Sequence, residues 1–157
     1  MHILIGTDAD YVVHDVTAAL GGPDVSFTVC RDGRSVTNVV KARTPDLAVL
    51  DLQIGSMGAM AVTMSLRLDE SSGALPHVKV LMLLDRRADV HLAKRCGAEV
   101  WLIKPVDALT LKRTVRALLA DPTPARRWKN LTEGSAPVDA PPNEPPNEPE
   151  EEPAAAG

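Results

Sequence analysis

The sequence predicts an α/β fold, a doubly wound five-stranded parallel sheet with helices on both faces. Three observations support that expectation. Short apolar runs alternate strictly with segments of helical apolar spacing, five times over. The third run, Leu47–Leu52, is apolar almost throughout, as a strand covered on both faces must be. The five units fill about 120 residues, too few for a closed eight-unit barrel, so the sheet is open.

Each element follows from its own pattern. His2–Gly6 (HILIG) has strand length and stops at Gly6-Thr7. From Asp8 to Leu20, Val12, Val13, Val16, Ala19 and Leu20 recur at helical spacing, and Gly21-Gly22-Pro23 ends that helix. Val25–Cys30 is the second strand. After Asp32-Gly33, Val36, Val39 and Val40 mark a second helix closed by Thr44-Pro45. Beyond the third strand, Met57, Met60, Ala61, Met64 and Leu68 form a helical stripe, expected to face the core. Ser71–Pro76 is a turn-rich break before the fourth strand, Val78–Leu84. Val90–Cys96 is a short helix stopped by Gly97, and Val100–Ile103 is the fifth strand. Asp107 caps a last helix that carries Leu111, Val115, Leu118 and Leu119 on one face.

The chain has 157 residues, and its prolines and charges are unevenly spread. Nine of the 13 prolines follow Ala120. Residues 1–120 carry a net charge of +1 and residues 121–157 a net of −5. This divides the chain into a globular domain over 1–120 and a Pro/Glu-rich tail over 121–157. The tail has too few large apolar groups to offset its ordering entropy, so it is expected to be disordered. Arg126-Arg127-Trp128-Lys129 reads as linker, and PPNEPPNEPEEEP at 141–153 as a spacer or solubility segment.

Several classes are excluded. No run of apolar residues reaches membrane-spanning length, and MHILIGTDAD has no signal-peptide pattern, so a cytoplasmic protein is expected. Cys30 and Cys96 are too few for a disulfide scaffold or zinc site and read as buried small hydrophobes. His2, His14, His77 and His91 show no metal-ligand spacing and read as structural or surface groups. The near-neutral domain lacks the footprint of a nucleic-acid binder. No phosphate-binding glycine loop follows the first strand, which argues against a small nucleotide-binding enzyme.

Ligands of an open sheet sit outside the carboxyl ends of its strands, at the topological switch point. Asp8 follows the first strand, Asp51 lies near the end of the third, and Lys104 follows the fifth. In the flavodoxin-like order 2-1-3-4-5 these ends are neighbours. Two carboxylates and an ammonium at one mouth suit a divalent cation and a phosphoryl group. The plainer alternative for Asp8 and Lys104 is a charged residue ending a strand at the surface. Asp51 differs, because its run is expected to be buried and an unpartnered buried carboxylate is costly.

These residues, with PDLAVLDL at 45–52, CGAEVWLIKP at 96–105 and CRDGRSV at 30–36, resemble the receiver domain of bacterial two-component response regulators. The resemblance covers about residues 1–120. It implies that Asp51 is the phosphoacceptor, served by a histidine kinase or a small phosphodonor. It implies that Asp8, Asp51 and the backbone carbonyl of Gln53 hold Mg2+ and that Lys104 pairs with the phosphoryl group. Leu84 and Trp101 would occupy the two switch positions, although Trp101 also suits a plain core aromatic. The expected role is a stand-alone signalling module rather than an enzyme, with output through contact with another protein.

The sequence also departs from that family. Thr7 stands where the first of two adjacent acids is usual, which implies weak magnesium binding. Leu84 replaces a hydroxyl residue, Asp85 replaces a small residue, and Gly55 stands where proline is usual. The extra carboxylate of Asp85 is expected to repel an incoming phosphate unless Arg86 or Arg87 neutralises it. The departures keep a second reading open: a pseudo-receiver that binds its partner constitutively, without phosphorylation.

Overall fold

The computed structural model describes residues 1–122. Its elements run β1 (His2–Gly6), α1 (Asp10–Leu20), β2 (Ser26–Cys30), α2 (Gly33–Ala42), β3 (Leu47–Asp51), α3 (Ala59–Ser71), β4 (Lys79–Leu84), α4 (Val90–Cys96), β5 (Val100–Ile103) and α5 (Ala108–Ala120), with a 3-10 turn at Arg87–Asp89. All strand pairs are parallel, in the order β2-β1-β3-β4-β5. The expected fold and order are therefore both present. The expected tail lies outside the described residues beyond Pro122.

Strand alternation sends side chains to two cores. In β4, Val80, Met82 and Leu84 face the side of α2, α3 and α4, where they join Val36, Leu50, Val62, Leu66 and Trp101. Leu81 and Leu83 face the other way and meet Ile3, Ile5, Val16, Leu111 and Val115 under α1 and α5. Among the described residues two helices have side-chain caps, of which Asp107 was the expected one. Asp32 accepts from the amides of Arg34 and Ser35, and Asp107 accepts from that of Thr110. The two cysteines are buried and unbridged.

The α3 stripe is a correction. The residues α3 turns inward are Ala59, Val62, Thr63 and Leu66, whereas Met64 is 52% exposed and Leu68 69%. Met57 and Met60 sit at the margin of the core, and Ala61 is exposed. Both sets of residues fit the helical period, so periodicity could not choose between them. Compact side chains won the inner position, where Thr63 hides its hydroxyl by donating to the Ala59 carbonyl at 2.7 Å. Leu66→Ala should therefore lower the unfolding free energy by about 2–5 kcal/mol, and Met64→Ala by no more than about 0.5 kcal/mol. Urea unfolding of the two variants checks the assignment.

Next to Leu66 on α3, Arg67 locks the helix to the amino-terminal edge of the sheet. Its five N–H donors make five bonds: to the carbonyls of Gly97 and Val78, to Glu70, and two to Glu99. Glu99 also accepts from the amide of Val80, so one buried carboxylate serves α3 and β4 together. His77 lies between Glu70 and Glu99, with its Nε2 3.1 Å from Glu99 Oε1. Bonding to Glu99, helped by the charges of Glu99 and Glu70, raises the His77 pKa above its ordinary 6.5 despite partial burial. A raised folded pKa makes the contribution complete below about pH 6.5 and removes it as pH climbs through the folded value. The stability lost in His77→Gln should thus be larger at about pH 6 than at about pH 9, read by denaturant melts at both.

Candidate functional site

The parallel register brings the carboxyl ends of β1, β3, β4 and β5 to one edge. Gly6 pairs with Leu50, Asp51 with Leu83, and Leu84 with Ile103. The chain therefore leaves the sheet at Thr7, Leu52, Asp85 and Lys104 within one mouth.

Asp51 is the centre of that mouth and is 2% exposed. Its Oδ1 accepts from Lys104 Nζ at 2.9 Å and from the Gln53 amide at 3.3 Å. Its Oδ2 accepts from Thr7 Oγ1 at 2.9 Å. A carboxylate this deep needs such donors, and here it has three. Lys104 Nζ lies 2.9 Å from Asp85 Oδ1 as well, so one ammonium serves two carboxylates. Those two acids raise the Lys104 pKa far above its usual value, against the opposing effect of burial.

The remaining expected residues are more scattered. Asp8 is exposed, and its carboxylate lies against the β3–α3 loop, where a Cβ on Gly55 would be 3.3 Å from its Oδ2. Gln53 is exposed and touches Asp51 through its backbone amide. Leu84 is fully buried at the end of β4 and offers no hydroxyl. Trp101 is a core residue, buried with Leu84 in the α2–α3–α4 layer, and Lys94 Nζ stands 5.5 Å from its ring centre.

Two contacts were not legible beforehand. By sequence Thr7 is only a missing carboxylate, yet its hydroxyl is a donor to Asp51 and an acceptor for the Ala9 amide at 3.1 Å. Asp85 is paired with Lys104, and Arg86 does not neutralise it. Arg86 is turned to Asp89 instead, at 3.2 and 3.3 Å. The usable signal for Asp85 was the register: a residue following Leu84 stands beside one following Ile103.

The oxygen set suits magnesium by its chemistry. Mg2+ keeps several waters and needs only one or two protein carboxylates, which Asp8 and Asp51 could offer, with a peptide carbonyl at Gln53. Among the described residues no cluster of three or more His, Cys, Asp or Glu side chains is placed to hold a metal. Removing the ammonium should expose the cost of the buried charge: Lys104→Met should lower stability by about 3 kcal/mol at neutral pH. The double variant Lys104→Met/Asp51→Leu should recover most of that loss, measured by thermal or urea unfolding.

Comparison with known proteins gives this mouth a context. The response regulator receiver domain profile matches residues 3–116. The chain is 29% identical over 118 residues to protein PilH of Pseudomonas aeruginosa, covering 75% of this chain and 97% of that one. It is 31% identical over 128 residues to an uncharacterized response regulatory protein of Mycobacterium tuberculosis, covering 78% and 93%. Among solved structures, its fold resembles the receiver domain of the sensor histidine kinase PA1611 from Pseudomonas aeruginosa, which has a magnesium ion coordinated in its active-site cleft. That likeness has a TM-score of 0.67 at 18% identity and covers 76% of this chain and 98% of that one. Receiver domains are signalling modules of two-component systems, and no helix among the described residues is long and apolar enough to cross a membrane. This chain belongs to the response regulator receiver domain family.

Proposed function

We propose that this chain is a single-domain receiver that accepts a phosphoryl group on Asp51 and signals by contact with a partner protein. The observation that carries this reading is the Asp51–Lys104 pair, a buried carboxylate held 2.9 Å from an ammonium at the switch-point edge. An Asp51 oxygen would bond to phosphorus as the bond from phosphorus to a donor nitrogen or oxygen breaks. The electron pair of that bond leaves with the donor, a phosphohistidine of a kinase or a small acyl phosphate. Lys104 then faces the oxygens of the transferred group. Asp8, Asp51 and the Gln53 carbonyl would hold Mg2+, which when bound offsets charge on those oxygens.

Domain organisation follows the same reading, with the receiver over 1–120 and a Pro/Glu-rich tail over 121–157. The match covering nearly all of PilH supports a single-domain form. A cytoplasmic setting, where kinase donors and small acyl phosphates occur together, fits the signalling role. Leu84 and Trp101 would be the switch pair. Leu84 has no donor for a phosphoryl oxygen, so the pair would couple weakly to events at Asp51.

A second reading, the phosphorylation-independent pseudo-receiver, is favoured by the Thr7 bond to Asp51 together with the apolar Leu84. Mass spectrometry separates the two. With Mg2+ and acetyl phosphate the full chain should gain one phosphoryl mass, and Asp51→Asn should gain none. An unchanged wild-type mass across small donors and kinases would favour the constitutive binder.

A further inference from the structure

We infer that Asp85 is a positioning residue that competes with an incoming phosphoryl group for Lys104 and so slows phosphoryl uptake at Asp51. This rests on the reading of Asp51 as phosphoacceptor. Its own basis is the second ion pair of Lys104, at 2.9 Å, equal in length to the one with Asp51.

The ammonium has three donors, and two of them already point at carboxylates. Its side chain is only 12% exposed, so it has little freedom to serve a third anion from another direction. The Asp85 side chain is 38% exposed and can leave for solvent, whereas Asp51 cannot. Leu84 and the paired Arg86 offer no substitute donor or counter-charge at that point.

Phosphoryl transfer to Asp51 replaces one carboxylate charge by a dianionic group. The new P–O bond forms on an Asp51 oxygen as the P–O bond of the acyl phosphate breaks, and the donor departs as its carboxylate. The added negative charge then sits beside Lys104 with Asp85 still in place. Either Asp85 turns outward and yields the ammonium, or the two anions share it. Both routes raise the barrier relative to a neutral residue at 85. The apo pairing therefore acts as a latch whose moving part is Asp85.

The test compares wild type, Asp85→Asn and Asp85→Glu, all full length, with Asp51→Asn as the blank. Phosphoryl gain from acetyl phosphate in Mg2+ is timed by mass spectrometry, and affinity for beryllofluoride, a non-transferable phosphoryl mimic, is measured by fluorine NMR. Asp85→Asn should gain phosphoryl about tenfold faster and bind the mimic about tenfold more tightly, the size of one partly exposed charge-assisted contact. Asp85→Glu, which keeps the charge, should stay near wild type, and the unfolding midpoints of all three should agree. A purely structural role for Asp85 would move the midpoint and leave mimic affinity unchanged. Equal rates and affinities in wild type and Asp85→Asn would overturn this inference and leave Asp51 as acceptor. If neither protein gains mass or binds the mimic, the acceptor reading falls, and this inference with it, because removing Asp85 would have uncovered no phosphoryl site.

Discussion

A carboxylate buried at the end of a central strand has to be met by donors from elsewhere in the fold, and Asp51 is met from three places. Thr7 reaches it from the end of β1, Lys104 from the end of β5, and the Gln53 amide from its own loop. Only Gln53 is close to Asp51 in sequence. Their meeting depends on parallel strands in the order that puts β3 at the centre, with β1 on one flank and β4 then β5 on the other. The chemistry of the mouth is therefore a direct product of sheet topology. Loss of register in any one of these strands would strand the charge.

The opposite edge of the sheet obeys a similar rule with a different cation. There Arg67 holds Glu70 and Glu99 while it also satisfies the carbonyls of Val78 and Gly97. Lysine suits the mouth, where one compact charge must face an exchangeable anion. Arginine suits the far edge, where planar, fixed donors knit three elements together. The helix α3 runs between the two, anchored at its carboxyl end by Arg67 and entered at its amino end from the loop that follows Asp51.

Much of this was legible in the sequence, because strict alternation of runs and stripes determines the fold class and the strand ends. Asp51 was legible because a charge among apolar residues needs a reason, whereas Lys104 by itself also suited a charge that merely ends a strand. The α3 face was not, since Met60, Met64 and Leu68 fit the helical period as well as Ala59, Val62 and Leu66 do. Only side-chain shape at the sheet surface separates those two sets. Thr7 was missed for a different cause. Reading it as an absent acid counted charge and overlooked hydrogen bonding, and a hydroxyl can satisfy a carboxylate that an acid would repel. The partner of Asp85 was not legible, because adjacency in sequence points to Arg86 and Arg87 and only the strand register points to Lys104.

The mouth has two unlike walls. One is backbone against backbone: Gly33 donates to the Gly55 carbonyl at 3.1 Å, and any side chain at 33 would put its Cβ 1.7 Å from the Met57 carbonyl oxygen. Ser56 sits there at φ 60°, in the left-handed region that few non-glycine residues adopt, with its hydroxyl on the Asp32 carboxylate that caps α2. The other wall carries the side chains of Asp85 and Lys104. Exposed side chains change rotamer in picoseconds to nanoseconds, whereas rearranging packed loops takes far longer. Whatever enters this mouth meets a template on the α2 side and, on the β4–β5 side, a charged door whose fast part is the exposed Asp85 side chain. Variation in loop length between Leu52 and Gly58 should be poorly tolerated, while residues at position 85 are free to retune the door without disturbing the frame.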